Sequence, residues 1–230
     1  MTSTEKESHP RIKSYILRQG RATTGQQNAI DNVWDHYCLD PDKTYDYSQV
    51  FGRDAPLIVE IGFGNGSSLA EMARANPDFN YLGIEVHRPG VARLMMLLEQ
   101  QEITNVRIYH HDAIEILEKK IPDQFLAGVH LFFPDPWQKR RHHKRRIVRP
   151  SFVELLKKKL KKGGYFHAAT DWEHYAKDML STLSSSNNGL VNASKDGTYC
   201  QRPEYRPLTK FENRGLRLGH GVWDLIFNKT

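Results

Sequence analysis

The chain is poor in cysteine. It has two in 230 residues, Cys38 and Cys200, neither with a second Cys or His at the close spacing of a zinc site. A disulfide framework and a cysteine-based metal cluster are therefore excluded; both cysteines read as free thiols, and no metal is expected. Long apolar runs are missing too. Nothing approaches the roughly 18 consecutive apolar residues of a membrane span, and Met1 to Pro10 is polar, without the apolar core of a secretory signal. No membrane partner is expected, and the expected location is cytoplasmic. Acidic charge is in deficit, with 27 Asp and Glu against 33 Lys and Arg, a formal net charge of +6. An excess this small is common among proteins that bind no polyanion. Its distribution says more: seven of the 33 basic residues fall between Lys139 and Arg149, with His142 and His143 among them, which marks a polyanion-binding segment.

What is present is an ordinary globular composition, 39% hydrophobic and 26% charged, long enough for one sizeable core. Residues 1–25 read as a basic, flexible N-terminal segment and 26–230 as a single domain, with a helix around Gln27 to Tyr37. From Pro56 onward short apolar runs alternate with helical stretches, the pattern of βαβ units in a mostly parallel, doubly wound α/β sheet of Rossmann-like type. Leu57–Ile61, Tyr81–Glu85, Val106–His110, Val129–Phe133 and Tyr165–Ala169 are the expected strands. Ser68–Ala75, Pro89–Gln101, Ala113–Lys119, Pro150–Lys162 and Trp172–Leu183 are the expected helices, with Gly163-Gly164 stopping the fourth. Ser184 to Thr198 reads as a polar loop, Val222–Phe227 as a final buried strand, and the Lys157 to Lys162 run as a solvated helix end. No internal repeat is visible.

The first unit, Val59-Glu60-Ile61-Gly62-Phe63-Gly64-Asn65-Gly66, runs a strand into a glycine-rich turn and a helix. Dinucleotide sites use G-x-G-x-x-G; here Ser67 stands where the third glycine would be, so the loop fits a nucleoside ligand without a pyrophosphate, such as S-adenosylmethionine, better than NAD. Four carboxylates keep step with the units: Glu60, Glu85, Asp112 and Asp135, spaced by 25, 27 and 23 residues near the C-terminal strand ends, where open α/β sheets bind ligands. Glu85 is placed to accept from the ribose hydroxyls and Asp112 to meet an adenine amine. Any one of these acids could equally be a helix cap; the series argues for a site.

After the fourth strand comes Phe132-Phe133-Pro134-Asp135-Pro136-Trp137. Two prolines stiffen this loop, and an acid beside a flat aromatic at the ligand edge suits a planar base offering amino or imino protons. A turn with a buried Trp is the plainer reading. The basic run Lys139 to Arg146 follows directly, next to the presumed catalytic loop, where phosphates would lie.

On these residues the sequence resembles the bacterial tRNA guanine-N7 methyltransferase family. The motifs are VEIGFGNG (59–66), GIE (83–85), HHDA (110–113), FFPDPWQKRRHHKRR (132–146), ATDW (169–172), RPLTKFENRG (206–215) and LGHGVWDLIF (218–227). The resemblance implies a class I S-adenosylmethionine-dependent methyltransferase fold acting on guanosine 46 of the tRNA variable loop. It implies cofactor binding by Glu60, Gly62, Gly64, Gly66, Glu85, Asp112 and Asp135, with Asp135 also catalytic. Lys139, Asp171, Thr209, Lys210, Phe211 and Glu212 would contact the substrate, and Arg141, His142, His143, Lys144, Arg145 and Arg146 the RNA. Read without the resemblance, the cluster Thr209 to Glu212 has no assignable role.

Two other readings compete. Pro134-Asp135-Pro136-Trp137 resembles the acid-Pro-Pro-aromatic loop of exocyclic-amine methyltransferases, and the basic run would suffice for a non-catalytic RNA-binding protein. A NAD oxidoreductase is disfavoured by Ser67 and by the lack of an evident hydride-handling His or Tyr. Oligomeric state and the order of the last strands are not legible.

Overall fold

The computed structural model describes residues 12–16, 20–185, 189–208, 212 and 221–230. Helices α1 (Thr24–Tyr37) and α2 (Tyr47–Phe51) precede strand β1 (Leu57–Ile61). Then follow α3 (Ser67–Ala75), β2 (Asn80–Ile84), α4 (Arg88–Gln100), β3 (Val106–Tyr109), α5 (Ala113–Lys119) and β4 (Leu126–Phe132). A 3-10 helix (Arg140–Arg145) leads to α6 (Pro150–Lys159), β5 (Leu160–Thr170), α7 (Glu173–Leu183), β6 (Leu190–Asn192) and β7 (Trp223–Lys229). The seven strands form one sheet in the order β3-β2-β1-β4-β5-β7-β6. Strands β1 to β5 are mutually parallel and β7 enters antiparallel between β5 and β6.

The central strands are apolar on both faces because helices cover both, as parallel sheets require. Val59, Leu82, Val129 and Phe166 have no measurable exposure. Leu57, Val59 and Ile61 pack toward α5, α6 and α7, whereas Ile58 packs with α1, α3 and α4. Thr23 starts α1 with a reciprocal capping box to Gln26, which satisfies two otherwise orphaned donors. Phe166 meets Phe152 edge-on at 5.8 Å; truncating such a ring leaves a cavity and costs about 3–5 kcal/mol.

The strands and helices from Pro56 onward fall close to their expected places, with informative exceptions. Helix α6 ends at Lys159 rather than Lys162, and β5 starts at Leu160. Lys159 is buried rather than solvated: its ammonium donates to the Ile121 carbonyl at 2.7 Å and to Asp123 Oδ1 at 2.8 Å. This tie ends the helix and directs Leu160 into the sheet opposite Leu126. Gly163, at φ +74°, belongs to the irregular stretch where the β4–β5 register shifts, not to a helix stop. The segment expected as a polar loop contains β6, paired antiparallel with β7. Helix α2 is too short to show a period in the sequence.

Candidate active site

Strand β1 delivers the glycine loop to the C-terminal edge of the sheet, where Gly62, Gly64 and Gly66 all adopt left-handed backbone (φ 69°, 61° and 75°). At Gly66 the demand is also steric, since a Cβ there would lie 2.6 Å from the Leu94 Cβ of α4. Glu85, one residue beyond β2, closes the loop. Its Oε2 accepts from the Gly64 amide at 2.9 Å and its Oε1 from the amides of Val86 and His87 at 2.7 and 2.9 Å. A carboxylate has about four lone-pair positions, so backbone takes three and leaves room for one further donor on Oε2.

Beside this loop is a cleft of about 260 Å³, walled by Gly62, Glu85, Asp112, Phe133, Asp135 and Ile147 among others. Asp112 also caps α5, accepting from the Ile114 amide at 2.9 Å, so cap and cleft wall are one residue. Glu60 is placed differently from its companions. It is buried beneath the loop, off the cleft wall, and among the described residues its Oε2 has no hydrogen-bond partner. Burial, with Glu85 adding negative potential, pushes its pKa up to about 8. Gly64 and Gly66 likewise shape the loop without reaching the wall. Ser14 and Tyr15 complete the wall from the N-terminal segment, to which the sequence assigned no role.

The loop after β4 carries the other half of the geometry. Phe133 and Trp137 both hold left-handed backbone, at φ 51° and 47°, so Pro134-Asp135-Pro136 is bracketed by two residues in a costly conformation. Surrounding contacts sustain it. The Phe133 amide donates to the Ala169 carbonyl at 2.8 Å, and Arg146 Nε donates to the Pro136 carbonyl at 2.8 Å. Trp137 Nε1 donates to the Ser14 carbonyl at 3.2 Å, and the Arg145 guanidinium lies 5.0 Å from the Trp137 ring centre. Asp135 is left exposed at the mouth of the cleft.

The basic run forms the 3-10 helix, and its members part company. Lys139, Arg140, Arg141 and Lys144 are exposed, and His142, His143 and Arg145 are half-buried. Partial desolvation and the surrounding cations hold the His142 pKa below its ordinary value. Arg146, expected to face RNA, is instead buried: it pairs with Asp178 of α7 and lies 4.6 Å from the Tyr175 ring centre. Asp171 is exposed just after β5, whose end pairs beside that of β4.

A buried polar network holds the far side together. Arg206 is 1% exposed and makes two bidentate pairs, to Asp224 of β7 at 2.7 and 2.9 Å and to Glu212 at 2.7 and 2.7 Å. His167 Nε2 donates to Asp224 at 2.7 Å while its Nδ1 accepts from the Tyr205 hydroxyl at 2.9 Å. Burial lowers the His167 pKa, consistent with that neutral tautomer. Burial alone would raise Asp224, but His167 and Arg206 outweigh it and hold its carboxyl below the ordinary range. The Arg206 guanidinium also lies within 6 Å of the Phe132 and Phe133 ring centres, at 5.9 and 5.6 Å, and so braces the start of the Asp135 loop. Glu212, expected to meet substrate, thus has its carboxylate engaged with Arg206. Thr209, Lys210 and Phe211 lie outside the described residues.

Among the described residues no helix is long and apolar enough to cross a membrane, and no group of three His, Cys, Asp or Glu is placed to hold a metal. Residues 54–225 match the family described as "Putative methyltransferase". A tRNA (guanine-N(7)-)-methyltransferase of Shewanella amazonensis is 55% identical over 96% of this chain and 92% of its own length. One from Methylococcus capsulatus is 52% identical over the whole of both. Among solved structures, the 16S rRNA methyltransferase KamB superposes with a TM-score of 0.60 at 15% identity, covering 82% of this chain and 95% of its own, a likeness of fold. The α/β sheet with its antiparallel β7 is accordingly a class I methyltransferase fold, and the chain belongs to the tRNA (guanine-N7-)-methyltransferase family.

Proposed function

We propose that this chain transfers a methyl group from S-adenosylmethionine to N7 of guanosine 46 in the tRNA variable loop. The observation that carries the reading is one juxtaposition: Asp135, on a loop braced from both ends, stands at the mouth of a cleft that adjoins an exposed row of cations. Relatives more than 50% identical, named tRNA (guanine-N(7)-)-methyltransferase, support methylation of a tRNA guanine at N7.

The cleft suits a nucleoside: Glu85 keeps one acceptor position, Asp112 offers a carboxylate on the wall, and Gly62 brings bare backbone to it. These residues, with Asp135, would hold the cofactor, and Glu60, Gly64 and Gly66 would act by shaping the loop. When bound, S-adenosylmethionine supplies an electrophilic sulfonium methyl group. Guanine N7 carries an exposed in-plane lone pair, so no proton need be removed and no general base is required; orientation dominates. Asp135 would accept from the guanine edge and stabilise the positive charge that grows on the purine. Lys139, at the N-cap of the 3-10 helix, and Asp171, just beyond β5, would orient the nucleotide. Arg140, Arg141 and Lys144 would contact phosphates, a sequence-independent attraction that sets affinity rather than choice of base.

The test is transfer of labelled methyl to an unmodified tRNA transcript and to the same transcript with guanosine 46 changed to adenosine. Incorporation with guanosine alone, at a site cleaved by N7-specific depurination chemistry, is expected. Equal incorporation into both transcripts would move the target elsewhere, and salt-sensitive tRNA binding without incorporation would favour a binding protein.

A further inference from the structure

A second cleft, of about 550 Å³, is walled by Gln138, Arg140, His143, Trp172 and His174. None of these residues reaches the cofactor cleft, and neither Asp135 nor Asp171 reaches this one. Its walls come from the two segments that follow β4 and β5, so it flanks the reacting position without containing it.

Its chemistry differs from that of the first cleft. Trp172 is among the few large apolar side chains left exposed, at 37%, and among the described residues its ring meets no other aromatic ring. On the same cleft wall the His143 and His174 rings lie 5.1 Å apart, and Arg140 begins the exposed cationic helix. Helix propensity does not call for Trp at the N-cap of α7, where it makes no side-chain cap. An exposed aromatic face among cations and hydrogen-bonding side chains is the composition with which proteins take unpaired nucleotides, the base stacking on the ring and the phosphate meeting the cation.

We infer that this cleft holds a nucleotide adjacent to the methylated guanosine, with its base stacked on Trp172 and its phosphate on Arg140. The inference rests on the proposed reaction for the identity of the RNA. It assigns to Trp172 the task of splaying the strand, so that the guanosine turns toward Asp135 while its neighbour is held away.

The experiment is a cycle between protein and RNA. Trp172→Ala and Trp172→Phe are compared with the unaltered protein on three tRNA transcripts: intact, abasic at the nucleotide 5′ of the guanosine, and abasic at the nucleotide 3′ of it. KM for tRNA, kcat and the dissociation constant by filter retention are measured. S-adenosylhomocysteine affinity and thermal midpoint serve as controls and are expected to stay unchanged. On intact tRNA, Trp172→Ala should raise KM between about fivefold and a hundredfold, the range for one lost base stack, and Trp172→Phe should recover most of it. One abasic transcript should weaken the unaltered protein by a similar factor and leave Trp172→Ala no worse, because a contact can be lost once only. Additive losses on both abasic transcripts, or an unchanged KM and dissociation constant in Trp172→Ala, would overturn the inference. If no transcript is methylated by any protein, the proposed reaction has failed, and the same cycle in dissociation constants still decides the subsite.

Discussion

The half of the sheet made by β1, β2 and β3 and the half made by β4, β5 and β7 solve different problems with different materials. In the first, two of the three strand-end acids are satisfied by backbone: Glu85 accepts three amides and Asp112 caps a helix. In the second, charge is satisfied by charge, with Arg206 between Asp224 and Glu212 and Arg146 paired to Asp178. A small ligand needs a rigid, close-fitting wall, which backbone supplies at low entropy. A large polyanion needs cations presented outward, and two strained residues in the loop between the clefts need bracing from beneath. Buried arginines perform that bracing, while Lys139, Arg140, Arg141 and Lys144 stay exposed.

The comparison breaks first at Arg206. Arg206→Met should lower stability by about 3–5 kcal/mol, because the buried guanidinium that Asp224 and Glu212 share would be lost; a urea-unfolding shift below 1 kcal/mol would mean that the network is incidental. Asp135→Ala should reduce methyl transfer about a hundredfold or more by analogy with loss of one preorganised electrostatic contact, with the unfolding midpoint unmoved. Near-normal turnover would remove Asp135 from the chemistry. Glu85→Ala should weaken S-adenosylhomocysteine about tenfold, as loss of a charged acceptor does, while tRNA binding survives; calorimetry showing unchanged affinity would reduce Glu85 to a loop clamp.

A pH measurement sharpens the same contrast. The folded-state pKa of Glu60 lies near 8, above the ordinary 4.5, so the folded chain binds the proton more tightly than the unfolded one. Its effect on stability is therefore a penalty, absent below about pH 4.5 and growing as pH rises toward 8. Glu60→Gln should flatten stability across that window, and an unaltered slope in denaturant titrations at several pH values would contradict the burial argument. The smallest effect is expected for salt. Four exposed cations, Lys139, Arg140, Arg141 and Lys144, with half-buried Arg145, give a slope of log affinity on log salt of about −3 to −4.5. Arg141→Ala should reduce the slope by about one, and Arg146→Ala should leave it unchanged.

Much of the half built on β1, β2 and β3 was legible because its signals are local. A strand running into glycines, an acid at each strand end and a helical period need only neighbouring residues, and they mark both the units and the order of the acids. The bounds of β5 were less legible, since the helical pattern continues past Lys159 and only the ammonium's ties to Ile121 and Asp123, far off in sequence, stop it. Arg146 illustrates the same limit within a motif: six residues of like character in a row carry no mark of which one turns inward.

Sequence alone therefore determined the doubly wound α/β class, the glycine loop with its carboxylates and the density of cations after Pro136, all of them properties of composition and short spacing. Tertiary structure decided which of the four acids stays off the cleft wall, which arginines are buried in ion pairs and which are exposed, and where β7 enters the sheet. Those outcomes depend on burial and on partners distant in the chain: a buried ionisable side chain stays charged where a counter-charge or a row of amides meets it, whereas Glu60, its pKa raised by burial, holds its proton more tightly instead.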